Sequence, residues 1–157
     1  MRRVSLRAVP VCLVALACGC FLTDGSREQK AAGAPPSPTH DYWYKVGAIL
    51  ARRPAGADLP NLLALVRDQT EALRGLPTDG VDPELVAAVA EVIAREQDVL
   101  DRAELFDGNE KVLRSSKEMA GAFAGANRAA AEAKKRVRGL QPALNARHGG
   151  GFNPLAG

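Results

Sequence analysis

The chain has 157 residues, room for one domain of ordinary size and not for two large ones. Hydrophobic residues make up 46%, but 28 residues are alanine and only seven are aromatic, so the core is built of small side chains with little bulk to line a deep pocket. Two histidines leave little for metal or acid–base chemistry, and no cofactor is expected.

Met1 to Arg7 carries Arg2, Arg3 and Arg7 and no acid, and an apolar run of 15 residues follows from Ala8 to Leu22. That run is shorter than the roughly 20 residues of a membrane-spanning helix, and it matches the apolar region of a secretory signal. It ends on Leu16-Ala17-Cys18-Gly19-Cys20, small residues leading to cysteine. This stretch resembles the lipobox of bacterial lipoprotein precursors, in which the cysteine is acylated and becomes the mature N-terminus. Cys20, with Gly19 before it, is the preferred acylation site, and Cys18, with Ala17 before it, is the alternative. A plain secretory signal or a short uncleaved anchor is the other reading of the segment.

The resemblance covers residues 1–20 and implies two or three acyl chains. At ~0.8 kcal/mol per buried methylene one chain binds marginally, while two hold stably. It implies an exported protein tethered at the cell envelope. Phe21 follows Cys20 where aspartate holds such lipoproteins at the inner membrane, which favours the outer one. All three cysteines (Cys12, Cys18, Cys20) lie here, so the rest of the chain has no disulfide to lean on. Cleavage before Cys20 removes three of 21 cations and none of the 18 acids. The mature chain is then close to neutral, and nucleic acid is not an expected partner.

Residues 20–40 read as a flexible tether. Thr23-Asp24-Gly25-Ser26 is turn-rich, and Ala31 to Pro38 is too rich in proline and glycine to hold a helix. Beyond it the pattern is helical, over a domain expected at 41–141. Trp43, Val46, Ile49 and Leu50 mark a first helix (about 42–53) ended by Pro54. Asp58 caps a second (about 59–74), with Pro60 in its first turn and an apolar face of Leu59, Leu62, Leu63, Val66 and Leu73. Asp82 and Pro83 open a third.

From Pro83 to Pro142 no proline intervenes. Leu85, Val89, Val92, Glu96, Val99, Ala103 and Phe106 alternate steps of four and three. Asp107-Gly108-Asn109 interrupts, and Val112, Ser116, Met119, Phe123, Ala126, Ala130, Ala133, Val137 and Leu140 resume the rhythm. Two seams of this kind belong to packed helices. From Asp82 to Glu110 the net charge is −7 (two bases, nine acids), and from Lys111 to Arg147 it is +7 (nine bases, two acids). Unlike arms attract when antiparallel, though each exposed pair contributes only ~0.2–1 kcal/mol. Gly108 suits the left-handed residue that closes a helix. The expectation is an all-α bundle: a hairpin of 83–106 and 110–140 packed with two shorter helices, then a loose, disordered Gly-rich tail at 142–157.

His148-Gly149-Gly150-Gly151 matches the glycine-rich oxyanion motif of some esterases, but no G-x-S-x-G elbow accompanies it, so no catalytic residue is assigned. Glu96 on the seam requires a cationic partner, for which Arg128 on the facing helix is the candidate. Tyr42-Trp43-Tyr44 is either a contact surface for a partner or lipid, or a cap with Trp43 filling the bundle end. Lys134, Lys135, Arg136 and Arg138 are either a solvated helix terminus or a stripe for anionic lipid or wall polymer. Gly121 and Gly125 allow close packing in the bundle or in a homo-oligomer. The functional expectation is a non-catalytic scaffold domain that binds another envelope protein. An electrostatic binder is the alternative, and a ligand carrier or enzyme the remote one.

Overall fold

The computed structural model describes residues 37–155. The signal-like segment with Cys18 and Cys20, and most of the expected tether, lie outside them. The described residues form an all-α bundle of six helices: α1 Pro38–Leu50, α2 Leu59–Arg74, α3 Pro83–Glu104, α4 Glu110–Ser115, α5 Lys117–Gly139 and α6 Gln141–His148.

Four of these helices carry proline within their first two positions. There a missing N–H costs nothing, because the first turn has no partner for it. Asp58 and Asp82 cap α2 and α3 as the sequence predicts, accepting from the backbone N–H of Asn61 and of Glu84 and Leu85. The first helix begins earlier than expected, at Pro38 and not near Tyr42. Ser37 supplies the cap, its hydroxyl accepting from the His40 N–H, and Pro38 fits the first turn. The proline that seemed to end the tether instead starts the domain.

α3 and α5 form the predicted antiparallel hairpin. Phe106 packs edge-on against Phe123 at 5.3 Å, Val99 lies with Ala126 and Ala130, and Val89 and Val92 share a cluster with Ala133 and Val137. Residue numbers fall along one helix as they rise along the other. All seven members of the first seam are buried. The second seam is fully buried only from Ala126 to Val137; Ser116, Met119, Phe123 and Leu140 are half-buried and Val112 is exposed. Its beginning differs from the single helix expected at 110–140. Ser116 is extended (φ −121°, ψ 112°), closing α4 and capping α5 through its hydroxyl, so a six-residue helix stands apart there.

The turn between the arms is closed by a Schellman motif, the Gly108 N–H bonding to the Ala103 carbonyl. Asp107 is itself left-handed (φ 52°), with Gly108 following at φ 60°, so the predicted glycine is the second of two such residues.

α1 runs against the second half of α2, where the Gln69 amide donates to the Ile49 carbonyl and Ile49, Leu50 and Leu73 join the core. Beside the first half of α2 there is no α1. Of the apolar face predicted for α2, Leu59 and Leu73 are buried, while Leu62 is left exposed.

The bundle thus has two unequal poles. At one, α1, the start of α3, the end of α5 and α6 surround Trp43, which is completely buried. At the other, a smaller cluster of Leu59, Ala103 and Phe106 is edged by half-buried Leu63, Leu113, Met119 and Phe123. Among the described residues no helix is long and apolar enough to cross a membrane.

The expected loose tail is a structured element. Residues 141–148 form α6, ended by left-handed Gly149, and Phe152 beyond it is buried. Gly149, Gly150 and Gly151 all have φ between 77° and 96°, a conformation that costs other residues a clash at Cβ. The glycine run is therefore a hinge that turns the chain back onto α1.

Candidate functional site

Three constellations bring polar or exposed groups together. The first is internal. Glu96 is fully buried on α3, and Lys134 of α5 reaches its Oε1 at 2.6 Å, while the Thr70 hydroxyl of α2 donates to Oε2 at 3.0 Å. Lys134 also donates to the Gln69 Oε1 at 2.8 Å, and Gln69 in turn bonds to α1. One network so joins four helices. The partner is Lys134 and not Arg128, because Ala126, Ala130 and Ala133 take the buried face of α5 and leave Arg128 exposed, while the half-buried Lys134 beside Ala133 reaches the carboxylate.

This placement changes the meaning of the basic run. Lys134 is turned toward the core, Arg136 donates to Glu91 at 2.7 Å, and Arg138 is half-buried, while Lys135 remains exposed. The four cations do not form one solvated stripe. Lys134 and Arg136 pair with acids of the facing arm, and Arg147 continues the pattern onto Asp82 and Glu84.

The second constellation is the clasp between α1 and the C-terminal strap. The His40 Nε2–H, the Trp43 indole N–H and the Tyr44 hydroxyl donate to the carbonyls of Gly150, Gly151 and Asn153, in the order His40–Gly150, Tyr44–Gly151, Trp43–Asn153, at 2.7–2.9 Å. His40 Nδ1 accepts from the Ser37 hydroxyl at 2.8 Å, and its ring stacks on Phe152 at 4.0 Å. Both backbone groups of Phe152 are held as well, its N–H by Asn145 and its carbonyl by Gln141 and Asn145. Of the aromatic cluster, Tyr42 and Trp43 are interior, burial pushing the Tyr42 phenol up, and the exposed Tyr44 donates to the strap.

Beside the clasp, Asp82 collects Arg147 and His148 on its carboxylate while capping α3, and its own N–H donates to Thr39. Burial pushes the Asp82 carboxyl up. Hydrogen bonds from His148, the Leu85 N–H and Arg147, with the Arg147 charge, outweigh it and hold the group below the usual carboxylate range. A carboxyl lowered by folding stabilises the folded state at and above its ordinary pKa near 4, and loses that contribution as pH falls through the lowered value. Asp82→Asn, which keeps a good cap, will therefore flatten the acid limb of stability against pH. Urea midpoints from about pH 6 down to about pH 2 measure it, and an unchanged acid limb would refute the assignment.

The third constellation lies at the opposite pole. Leu105 is 73% exposed, Leu62 42% and Val112 39%. Each is the chain neighbour of a residue in or against the small cluster there (Phe106, Leu63 and Leu113), so all three belong to that pole. Leu105 and Val112 flank the turn, and sequence patterning missed their exposure. The signal available was that Leu105 falls off the seam beside Phe106. Between α2 and α3, depressions bounded by Arg67, Glu71, Arg74 and Glu104 are open at the surface. Among the described residues no group of three or more His, Cys, Asp or Glu could hold a metal ion.

No family model, curated protein or solved structure matches the chain.

Proposed function

We propose that this is a lipid-anchored protein of the cell envelope whose helical domain acts by binding another protein, without catalysis. The observation that carries the binding role is the exposure of three large apolar side chains, Leu62, Leu105 and Val112, at one pole. Single exposed leucines are ordinary, but apolar groups gathered from three elements are a recurrent mark of interaction sites. The anchor rests on Leu16-Ala17-Cys18-Gly19-Cys20. Ser37, where the proposed tether joins the domain, stands at the Trp43 pole, so the apolar pole lies away from the attachment.

The intact mass of protein extracted from cell membranes tests the anchor. The expected mass is that of residues 20–157 plus two or three acyl chains, and Cys20→Ala abolishes the lipid while Cys18→Ala does not. An unprocessed chain in the soluble fraction overturns the proposal.

A further inference from the structure

We infer that the cleft between α1 and α6 is a peptide-binding groove. The strap fills it in this structure, and it takes an extended, uncharged Gly-Phe segment of a partner protein. This groove lies at the Trp43 pole and does not depend on the exposed apolar side chains at the other.

Five side chains hold the main chain of four consecutive strap residues, 150 to 153: His40, Trp43 and Tyr44 of α1 with Gln141 and Asn145 of α6. Backbone groups inside a fold mostly pair with other backbone groups. Here two helices read an extended chain through their side chains, as a receptor reads a bound peptide. None of the five is an acid, a lysine or an arginine, and the strap residues 149–155 carry no charge. Bonds to the carbonyls of Gly150, Gly151 and Asn153 are blind to the side chains there. The side chain that is read is Phe152, the only fully buried residue of 149–155, stacked on His40 at 4.0 Å and edge-on to Trp43 at 6.0 Å. Before it the groove demands glycine, since a Cβ on Gly151 would come within 2.9 Å of His40 Nε2.

The strap pivots on residues that pack against little else. Gly149 is exposed, and a Cβ on Gly149 or Gly150 would meet nothing within 4 Å, so rotation there breaks no side-chain packing. Segments with few buried contacts open locally, at less cost than global unfolding. While attached, the strap competes for the groove at an effective concentration on the order of millimolar.

The test uses the full chain and a fluorescein-labelled peptide of residues 149–157, with binding read by anisotropy. Gly150→Val with Gly151→Val strains the seated strap, whose φ of 96° and 94° a β-branched residue avoids, and leaves Phe152 and the five groove side chains unchanged. The peptide, which keeps its glycines, should bind this variant roughly tenfold tighter than it binds the unaltered chain. Unlabelled peptide should return the variant's Trp43 emission to the blue, and a peptide with Phe152→Ala should do neither. In the unaltered chain the Phe152 N–H should exchange with solvent roughly a hundredfold faster than the core amide of Val89, through opening of the strap alone.

No peptide binding to either chain, with the variant's helices intact by circular dichroism, overturns the groove. Equal exchange at Phe152 and Val89 overturns it as well, since the strap would then leave only on global unfolding. A variant that dimerises, and whose dimer the peptide dissolves, overturns the separate partner by placing a second copy's strap in the groove.

Discussion

Replacing Lys134 with methionine will cost about 3–5 kcal/mol of stability, close to a third of what a domain of this size commonly has. Lys134 closes onto a fully buried carboxylate, and the Glu96 Oε1 it reaches has no hydrogen-bond partner to fall back on. Methionine keeps most of the apolar stem and deletes the charge, so the loss reports the stranded carboxylate and not a cavity. Thr70 still donates to Oε2, but one neutral hydroxyl cannot offset a buried charge. The paired change Glu96→Leu with Lys134→Met should recover most of the loss, since an apolar pair of similar volume commonly matches a buried ion pair. Urea denaturation of the single and double variants measures both. A Lys134→Met loss below about 1 kcal/mol would mean that water reaches the pair and that it behaves as a surface bridge.

Truncating the strap residue Phe152 to alanine should cost a similar ~3–5 kcal/mol, the usual penalty for a buried phenylalanine. Phe152 lies between the His40 ring at 4.0 Å, the Trp43 ring edge-on at 6.0 Å and the His148 ring at 5.8 Å. Its removal opens a cavity at the fullest part of the core and loosens the three carbonyls clasped by α1. Trp43 is the only tryptophan, so its emission reads this pole directly. Both Phe152→Ala and a chain ending at His148 should shift the emission to the red and lower the denaturation midpoint. Gly47→Ala should act in the same direction more weakly, because a Cβ there would come within 2.6 Å of the Leu155 side chain. An unaltered spectrum and midpoint in the chain ending at His148 would show that the strap contributes nothing.

The elements most legible in the sequence were those specified by neighbours in the chain. Asp58 and Asp82 cap within three residues, the prolines act within the first turn, and the seam from Leu85 to Phe106 is a property of one helix. The opposed charges of the two arms also predicted how they meet. Which side chain of the facing helix reaches a buried group was harder to read. Pairing Glu96 with Arg128 fails because Arg128 falls off the buried face formed by Ala126, Ala130 and Ala133, and the Lys134 stem reaches the carboxylate instead.

The strap was illegible for another reason. Three glycines in succession read locally as a high entropic cost, which is true of them, but the compensating donors stand 107–110 positions away on α1. For the candidate site, the burial of Trp43 was one of two readings weighed. The exposure of Leu62 was not foreseen, since nothing in the sequence says that α1 stops short of covering the first half of α2.

The clasp also orders events in time. The acceptors that satisfy His40, Trp43 and Tyr44 lie at Gly150, Gly151 and Asn153, more than a hundred positions after those side chains. During synthesis α1 must wait, with its largest aromatic surface uncovered, until the strap has been made and can fold back. A domain whose first helix is completed only by a strap more than a hundred residues further on cannot finish folding from the N-terminus as it emerges, as many chains do. Under the export proposed above, that delay keeps the chain open during its passage across the membrane.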